Sequence, residues 1–337
     1  MIVLGIETSC DETAAAVVDG TTIRANEIYS QLAHGRYGGV VPELASRAHI
    51  RKVLPVIKAA LSEAGVELHD LDGVAVTRGP GLIGSLVIGL AVAKGICAGC
   101  GLPLIGIQHI EGHIFAILLE HPELLPPFLC LVASGGHTEL IYVSEWCEYE
   151  LLGRTRDDAA GEAFDKVAKV LGVIRPDGPA MGGPILAQLA EEGDPTYAEF
   201  PRGLSRGGNL EFSFSGLKTA VLRHIRGLNA EEIEAHLPDI AASFQDAVVD
   251  VLVRKTMLAA QKQHVDRVVL AGGVAANTEL RNRLRSAAEA ARISVFVPSR
   301  RLCTDNAAMI AAAGAFRLAR GERSGLDLDA DPRLRVA

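Results

Sequence analysis

Two histidines one helical turn apart could bind a metal ion. His109 and His113 belong to a predicted helix that directly follows the predicted strand Leu104 to Ile107. Residues i and i+4 share one face of a helix, so both imidazoles can reach the same ion. The carboxyl end of a strand is also where α/β proteins bind ligands. The spacing therefore favours a metal site over the alternative of two unrelated polar histidines.

Two imidazoles leave the coordination shell of a metal incomplete, so a carboxylate should complete it. Two histidines and a carboxylate suit Fe²⁺ or Zn²⁺ and leave positions for water or a phosphate oxygen. Asp305 begins the last predicted helix and could supply that carboxylate or serve only as the helix N-cap. Spacing alone does not choose between these roles. Glu111 lies roughly 200° around the helix from His109, which is badly placed for the general base of an H-E-x-x-H metalloprotease.

Three turns built from small residues have the chemistry of phosphate-binding loops. They span Glu7 to Asp11, Ser134 to Thr138 and Gly272 to Asn277. Small residues let backbone N–H groups approach an anion closely, and the third turn also begins a helix. A single Gly-Gly turn is usually a plain connector, but three at matching positions favour a nucleotide ligand. The pattern is similar to the actin, sugar-kinase and Hsp70 superfamily, in which paired hairpin loops hold phosphates.

Hydrophobic periodicity predicts the elements that position these turns. Strands over Ile2–Glu7, Thr13–Val18 and Thr22–Ser30 precede a helix over Pro42–Ala64. The same βββαβα order begins again at the strand Phe128–Ala133. We therefore predict an α/β fold of two similar lobes with a ligand cleft between them; an α/β protein without a repeat is the alternative. The N-terminal lobe would span 1–125, with the helix at about 305–337 packing back on it. The C-terminal lobe would span 126–304, with an irregular insertion at about 173–215.

Composition excludes several classes of protein. The 337 residues are 49 % hydrophobic and 22 % charged, which is enough for two cores. The net charge of −8 argues against an unassisted nucleic-acid binder. Six cysteines without framework spacing indicate reduced thiols. We find no signal peptide and no apolar run of the ~18 residues that a membrane span needs, so we expect a cytoplasmic protein without a membrane partner.

Eight motifs, in order over about residues 1–320, make the chain resemble the bacterial TsaD family. This family is the tRNA threonylcarbamoyladenosine synthase subunit, formerly described as an O-sialoglycoprotein endopeptidase. The tail from Gly321 onward carries no such signature. The motifs span Ile6–Thr13, Gly38–Glu43, His109–His113, Ser134–Thr138, Gly161–Lys166, Phe212–Lys218, Gly272–Asn277 and Cys303–Asn306.

The resemblance implies an acyltransferase, a tRNA N6-adenosine threonylcarbamoyltransferase. It would move the threonylcarbamoyl group of threonylcarbamoyl-AMP to N6 of the adenosine 3′ to the anticodon in tRNA, releasing AMP. Family partners would be TsaB and TsaE, with TsaC making the donor. One divalent metal per subunit, Fe²⁺ rather than Zn²⁺, would be bound by His109, His113 and Asp305. The adenylate would be held by Val132, Ala133, Ser134, Gly135, Gly136, Asp165, Gly178 and Asn277. Many relatives carry an Asp near position 182, where this chain has Gly182, so we expect Asp165 to contribute more to sugar recognition.

Such a donor is already activated, so no nucleophilic Ser or Cys is required. The enzyme must hold the phosphate, polarise the carbonyl and align a weakly nucleophilic amine. Asp11 and Glu12 are the best placed carboxylates to take the proton of that amine, by position only; turn and cap chemistry is their alternative role. Competing functions are a kinase or ATPase, a zinc peptidase and a non-catalytic nucleotide-binding scaffold. The histidine pair disfavours a kinase, because Mg²⁺ prefers oxygen ligands.

Overall fold

The computed structural model describes residues 1–37, 39–174, 182–205 and 207–336. Internal contacts divide the described chain into two units. The first comprises Met1–His34, Val40–Leu124 and the chain from Pro298 onward. The second comprises Leu125–Val297 with a short segment at residues 35–37 and 39.

The helices and strands agree closely with the hydrophobic pattern of the sequence. In chain order they are β1 Ile2–Glu7, β2 Glu12–Asp19, β3 Thr22–Ser30, α1 Pro42–Ala64, β4 Gly73–Gly79, α2 Ile83–Cys100, β5 Leu104–Gln108, α3 His109–Phe115, β6 Phe128–Ala133, β7 Thr138–Glu145, β8 Glu148–Arg154, α4 Ala160–Val170, α5 Gly183–Ala190, α6 Ser215–Ile225, α7 Ala230–Ala235, α8 Leu237–Gln263, β9 Arg267–Ala271, α9 Thr278–Ala290, β10 Ser294–Phe296, α10 Arg300–Cys303 and α11 Ala307–Ala319.

Each unit is built on a sheet of the same topology. Among the described residues, the first sheet has the order β3-β2-β1-β4-β5 and the second has the order β10-β9-β6-β7-β8. In both, the first strand of the unit pairs antiparallel with the second and parallel with the fourth. This repetition confirms the predicted α/β fold built from duplicated βββαβα units. The cleft between the lobes and the lobe boundaries remain predictions.

Helix α11 packs directly on the sheet of the first unit because small residues line the contact. A Cβ placed on Gly5 of β1 would lie 2.3 Å from the carbonyl oxygen of Ala307, and one placed on Gly314 would lie 2.3 Å from Cβ of Ala75. No larger side chain fits at such distances. The close contact holds the start of α11, directly after Asp305, against β1.

Two sequence predictions about the elements are wrong. The stretch at 173–215, expected to be irregular, contains α5 among its described residues. Helix α2 is 18 residues long and, by length and composition alone, apolar enough to cross a membrane, although we expected no such run. Its glycines do not interrupt it, since each costs only about 1 kcal/mol relative to alanine. One face of α2 is buried, in packing with α1 and β4. Core helices of globular units have the same composition, so α2 by itself assigns no membrane location.

Candidate metal centre

Helix α3 presents both histidines from a buried position. Its N-cap is Gln108, whose side-chain oxygen accepts the backbone N–H of Glu111 at 2.8 Å. His113 is completely buried and His109 is 5 % exposed. Their ring centroids lie 4.8 Å apart with the planes at 82°. The predicted i, i+4 arrangement therefore brings the two imidazoles together.

Asp305 completes this group from the loop between α10 and α11. Asn306, and not Asp305, is the N-cap of α11: its side-chain oxygen accepts the N–H of Met309 at 3.0 Å. The interpretation of Asp305 as a helix cap is therefore wrong. Its Oδ1 atom lies 3.2 Å from Nε2 of His113 and 3.5 Å from Nε2 of His109.

The three residues fit a divalent metal. Their ligand atoms all lie within 4.8 Å of one another. Donor atoms that share one Fe²⁺ or Zn²⁺ ion lie roughly 3 to 4 Å apart, because each is about 2.1 Å from the metal. The two distances from Oδ1 of Asp305 to the histidine Nε2 atoms, 3.2 and 3.5 Å, fall in this range. Both ring nitrogens of His113 are buried without a hydrogen-bond partner among the described residues. A buried imidazole in that condition needs a ligand, and a metal ion supplies one.

Glu7, which the sequence analysis did not single out, lies beside this group at the end of β1. It is completely buried, and its Oε2 atom lies 3.0 Å from Nδ1 of His109. Burial by itself lowers the pKa of His109, but the carboxylates of Asp305 and Glu7 outweigh burial and hold that pKa well above its ordinary value. Burial likewise raises the pKa of Asp305, and the two histidines hold it well below its ordinary value. The signal for Glu7 in the sequence was a glutamate placed directly after the apolar run at residues 2–6, at the end of a predicted strand.

Glu111 is held away from this group by Arg317 of α11. The guanidinium donates three hydrogen bonds of 2.7, 3.0 and 3.1 Å to its carboxylate. Because these bonds occupy the carboxylate, Glu111 is not the general base that a peptidase requires.

A buried histidine of α1 binds the turn that carries Asp11 and the start of β2, where Glu12 lies. Nε2 of His49 donates to the carbonyl oxygen of Cys10 at 2.8 Å, and its Nδ1 lies 2.8 Å from Oγ1 of Thr13. Burial, together with the Asp11 and Asp305 carboxylates, raises the pKa of Glu12 to about 10. Burial and Asp11 also raise the pKa of the Cys10 thiol. At neutral pH, Glu12 is thus a protonated hydrogen-bond donor and Cys10 is not a thiolate.

The described residues that were predicted to hold the adenylate belong to the second unit. Gly178 lies outside the described residues. Val132 and Ala133 are the buried end of β6, and Gly135 and Gly136 are exposed in the following turn. Ser134 closes that turn, because its Oγ accepts the N–H of His137 at 3.1 Å.

Two further adenylate candidates support helix starts. Asp165 accepts the N–H of Gly183 at the start of α5 at 2.8 Å. Asn277 caps α9 through the N–H of Leu280 at 2.9 Å. A Cβ on Gly182 would lie 2.4 Å from Cβ of Ala168. An aspartate at position 182 would therefore collide with Ala168 of α4 in this structure.

Comparison with known proteins decides the family. The model of the family described as TsaD, tRNA N6-adenosine threonylcarbamoyltransferase, matches residues 22–312. The chain belongs to the TsaD family. The tRNA N6-adenosine threonylcarbamoyltransferase of Moorella thermoacetica is 52 % identical over 334 residues, covering 98 % of this chain and 96 % of the relative. The enzyme of the same name from Anaeromyxobacter dehalogenans strain 2CP-C is 52 % identical over 337 residues, covering 99 % of each chain.

More distant solved structures share the fold of this TsaD family member. Component A of (R)-2-hydroxyglutaryl-CoA dehydratase from Acidaminococcus fermentans aligns with a TM-score of 0.55 at 17 % identity, covering 95 % of this chain and 99 % of the other. HypF of T. kodakarensis aligns with a TM-score of 0.62 at 15 % identity, covering 95 % of this chain and 48 % of the other. The family and the enzyme class predicted from the motifs are thus confirmed. Membership of the TsaD family and the geometry of the triad both support a divalent metal.

Proposed function

We propose that this protein transfers the threonylcarbamoyl group of threonylcarbamoyl-AMP to N6 of the adenosine 3′ to the anticodon in tRNA, releasing AMP. The match to the TsaD family over residues 22–312 carries the proposal, and the group formed by His109, His113 and Asp305 is its chemical counterpart. We take the first and second units to be the predicted N-terminal and C-terminal lobes.

The proposed metal is Fe²⁺, held by His109, His113 and Asp305. Two imidazoles and one carboxylate with open positions are the usual ligands of Fe²⁺ in proteins, although they also accept Zn²⁺. When bound, such a metal supplies a Lewis acid for the phosphate and carbonyl oxygens of the donor. Glu111 is held by Arg317, so hydrolysis by an activated water has no base from this helix.

We assign to Asp11 the role of accepting the proton that the attacking amine loses. Its neighbour Glu12 already carries a proton at neutral pH, because burial and Asp11 raise its pKa to about 10. Glu12 therefore serves as a hydrogen-bond donor, and Asp11, the other candidate carboxylate, is assigned the proton of the amine by its position. The Cys10 thiol, whose pKa burial raises, has no nucleophilic part in the transfer.

The adenylate is assigned to the second unit. Exposed backbone of Gly135 and Gly136 after β6 offers N–H groups to a phosphate. Gly161 must stay a glycine beside that turn, because a Cβ there would lie 2.7 Å from the carbonyl oxygen of Ser134. Asp165 and Asn277 would meet the sugar and base while also supporting helix starts, and Gly178 completes the proposed set.

The proposed partners are tRNA, TsaB and TsaE, with TsaC supplying the donor, in the cytoplasm and without a membrane. The net charge of −8 disfavours unassisted tRNA binding. Large exposed apolar side chains on α1 and α2 offer a surface to a protein partner: Ile50 (64 % exposed), Leu54 (60 %), Ile83 (52 %) and Val87 (47 %). Ser46 of α1 packs against Gly84 of α2, which places these side chains on adjoining helix turns.

The test combines purified protein, synthetic threonylcarbamoyl-AMP and unmodified tRNA, with and without TsaB and TsaE. Mass spectrometry of digested tRNA measures the modified adenosine. We expect modification only with the partners present, with release of AMP rather than ADP. His113→Ala should abolish it, whereas His69→Ala, at an exposed histidine of the same unit, should not. If no modified adenosine forms under any condition, the transferase proposal is refuted. Full activity of His113→Ala would instead favour a non-catalytic scaffold.

A further inference from the structure

The buried carboxylate of Glu7 receives hydrogen bonds from three sides. The Thr77 hydroxyl donates to its Oε2 atom at 2.6 Å, and the backbone N–H of Ser9 donates to its Oε1 atom. Nδ1 of His109 is the third neighbour, at 3.0 Å from Oε2. These contacts join β1, the neighbouring parallel strand β4 and the turn after β1 to the first histidine of α3. Their common element is one side chain with no exposure to solvent.

We propose that Glu7 is a positioning residue that fixes the tautomer and ring orientation of His109, so that Nε2 of His109 is presented to the metal. The inference rests on the proposed metal centre. It assigns to Glu7 the part of a carboxylate that accepts the second N–H of a metal-binding imidazole.

The tautomer follows from the chemistry of the neighbours. A carboxylate oxygen accepts hydrogen bonds, and both oxygens of Glu7 already face a donor: Oε1 faces the N–H of Ser9 and Oε2 faces the hydroxyl of Thr77. Nδ1 of His109 must therefore carry the hydrogen that faces Glu7. Nε2 is left on the side of Asp305, whose Oδ1 atom lies 3.5 Å away. A metal-binding imidazole needs its lone pair on that nitrogen.

The two histidines differ in this respect. Among the described residues, neither ring nitrogen of His113 has a hydrogen-bond partner. In His109, by contrast, Nδ1 faces the carboxylate of Glu7. Metal affinity should consequently depend on Glu7 through His109, and the Ser9 N–H bond means that the same carboxylate also orders the turn after β1.

Glu7→Gln tests this directly, because an amide cannot replace the carboxylate on both oxygens. If its oxygen accepts from His109, its NH₂ group faces the N–H of Ser9, and one of the two bonds is lost. Glu111→Gln is the matched control: it neutralises another buried carboxylate of the same unit, on the helix that carries the histidines, whose partner is Arg317. Thermal unfolding followed by circular dichroism shows whether both variants are folded.

The first measurement is the affinity of the metal-free protein for Zn²⁺, by competition with a chelating dye. We expect Glu7→Gln to bind Zn²⁺ about 10- to 100-fold more weakly. Glu111→Gln should stay close to the wild type, because the carboxylate of Glu111 is bound by Arg317. The second is ¹⁵N NMR of histidine-labelled, Zn²⁺-loaded protein. His109 should show a protonated Nδ1 in the wild type and in Glu111→Gln, and a shifted or exchange-broadened signal in Glu7→Gln.

Equal Zn²⁺ affinities for Glu7→Gln and Glu111→Gln, or an unprotonated Nδ1 of His109 in the wild type, would overturn the proposal. If Glu7→Gln does not fold, Thr77→Val removes one bond to the carboxylate and keeps its charge. It should weaken Zn²⁺ binding by about threefold or more, and unchanged affinity overturns the proposal equally. Neither measurement uses the modification of tRNA. A protein whose Zn²⁺ affinity depends on Glu7 but that modifies no tRNA would therefore refute the proposed function and leave this inference standing.

Discussion

Replacing Gly5 with alanine should both destabilise the first unit and weaken its metal site. The added Cβ would lie 2.3 Å from the carbonyl oxygen of Ala307 and 2.8 Å from the backbone N of Ala311. Both obstacles are backbone atoms of α11, so the helix must retreat by about 1 Å to restore an ordinary contact. Overpacking of this kind costs about 1–3 kcal/mol, and we expect the upper end because no side chain can rotate away.

The affinity for the metal should fall because α11 starts next to Asp305. Metal–ligand distances tolerate only about 0.2 Å, so a retreat of the helix start moves the carboxylate out of range. We expect Zn²⁺ to bind at least about tenfold more weakly to Gly5→Ala, because a displaced ligand lowers metal affinity by at least this factor. Urea denaturation measures the unfolding free energy, and competition with a chelating dye measures the affinity for Zn²⁺.

Two matched glycine variants separate local from global effects. Gly314→Ala meets Cβ of Ala75 at 2.3 Å and should lose similar stability, but it lies about 13 Å along α11 from Asp305 and should leave the affinity for Zn²⁺ nearly unchanged. Gly95→Ala in α2 meets nothing within 4 Å and should gain up to about 1 kcal/mol. A Gly5→Ala protein with wild-type stability refutes the packing argument. Equal losses of affinity in Gly5→Ala and Gly314→Ala refute the link to Asp305.

Two further predictions concern buried polar groups of the first unit. Arg317→Met should lower the unfolding free energy by about 3–5 kcal/mol, because it removes three hydrogen bonds from a Glu111 side chain that is only 3 % exposed; a loss below about 1 kcal/mol in urea denaturation would contradict a buried ion pair. Burial lowers the pKa of His49 below its ordinary value of 6.5, against the opposing hydrogen bond to the Cys10 carbonyl. The unfolded state therefore takes up this proton first as the pH falls. The stability difference between the wild type and His49→Gln should be complete above about pH 6.5 and shrink below it by at most about 1.4 kcal/mol per pH unit. A difference that stays constant from pH 8 to pH 5 would show that His49 titrates alike in both states.

Local pattern in the sequence was sufficient for most of the secondary structure and for two of the three residues of the metal site. The bounds of β1, β3, α1 and β6 agree with hydrophobic periodicity, because burial on one face of an element leaves a period of 2 or 3.6 in the chain. His109 and His113 follow from the same logic, since one turn of a single helix places both rings on one side. The motifs then indicated Asp305 and the TsaD family, by resemblance.

Tertiary packing decided what the sequence could not. Whether Asp305 or Asn306 caps α11 depends on one residue of register, which helix propensity does not resolve. Glu7 and Arg317 acquire their roles from partners far away along the chain, His109 and Glu111 respectively. The pKa of Glu12 is raised because the fold buries it beside Asp11 and Asp305. All these effects depend on distances between elements that lie far apart along the chain, and a local hydrophobic pattern does not contain those distances.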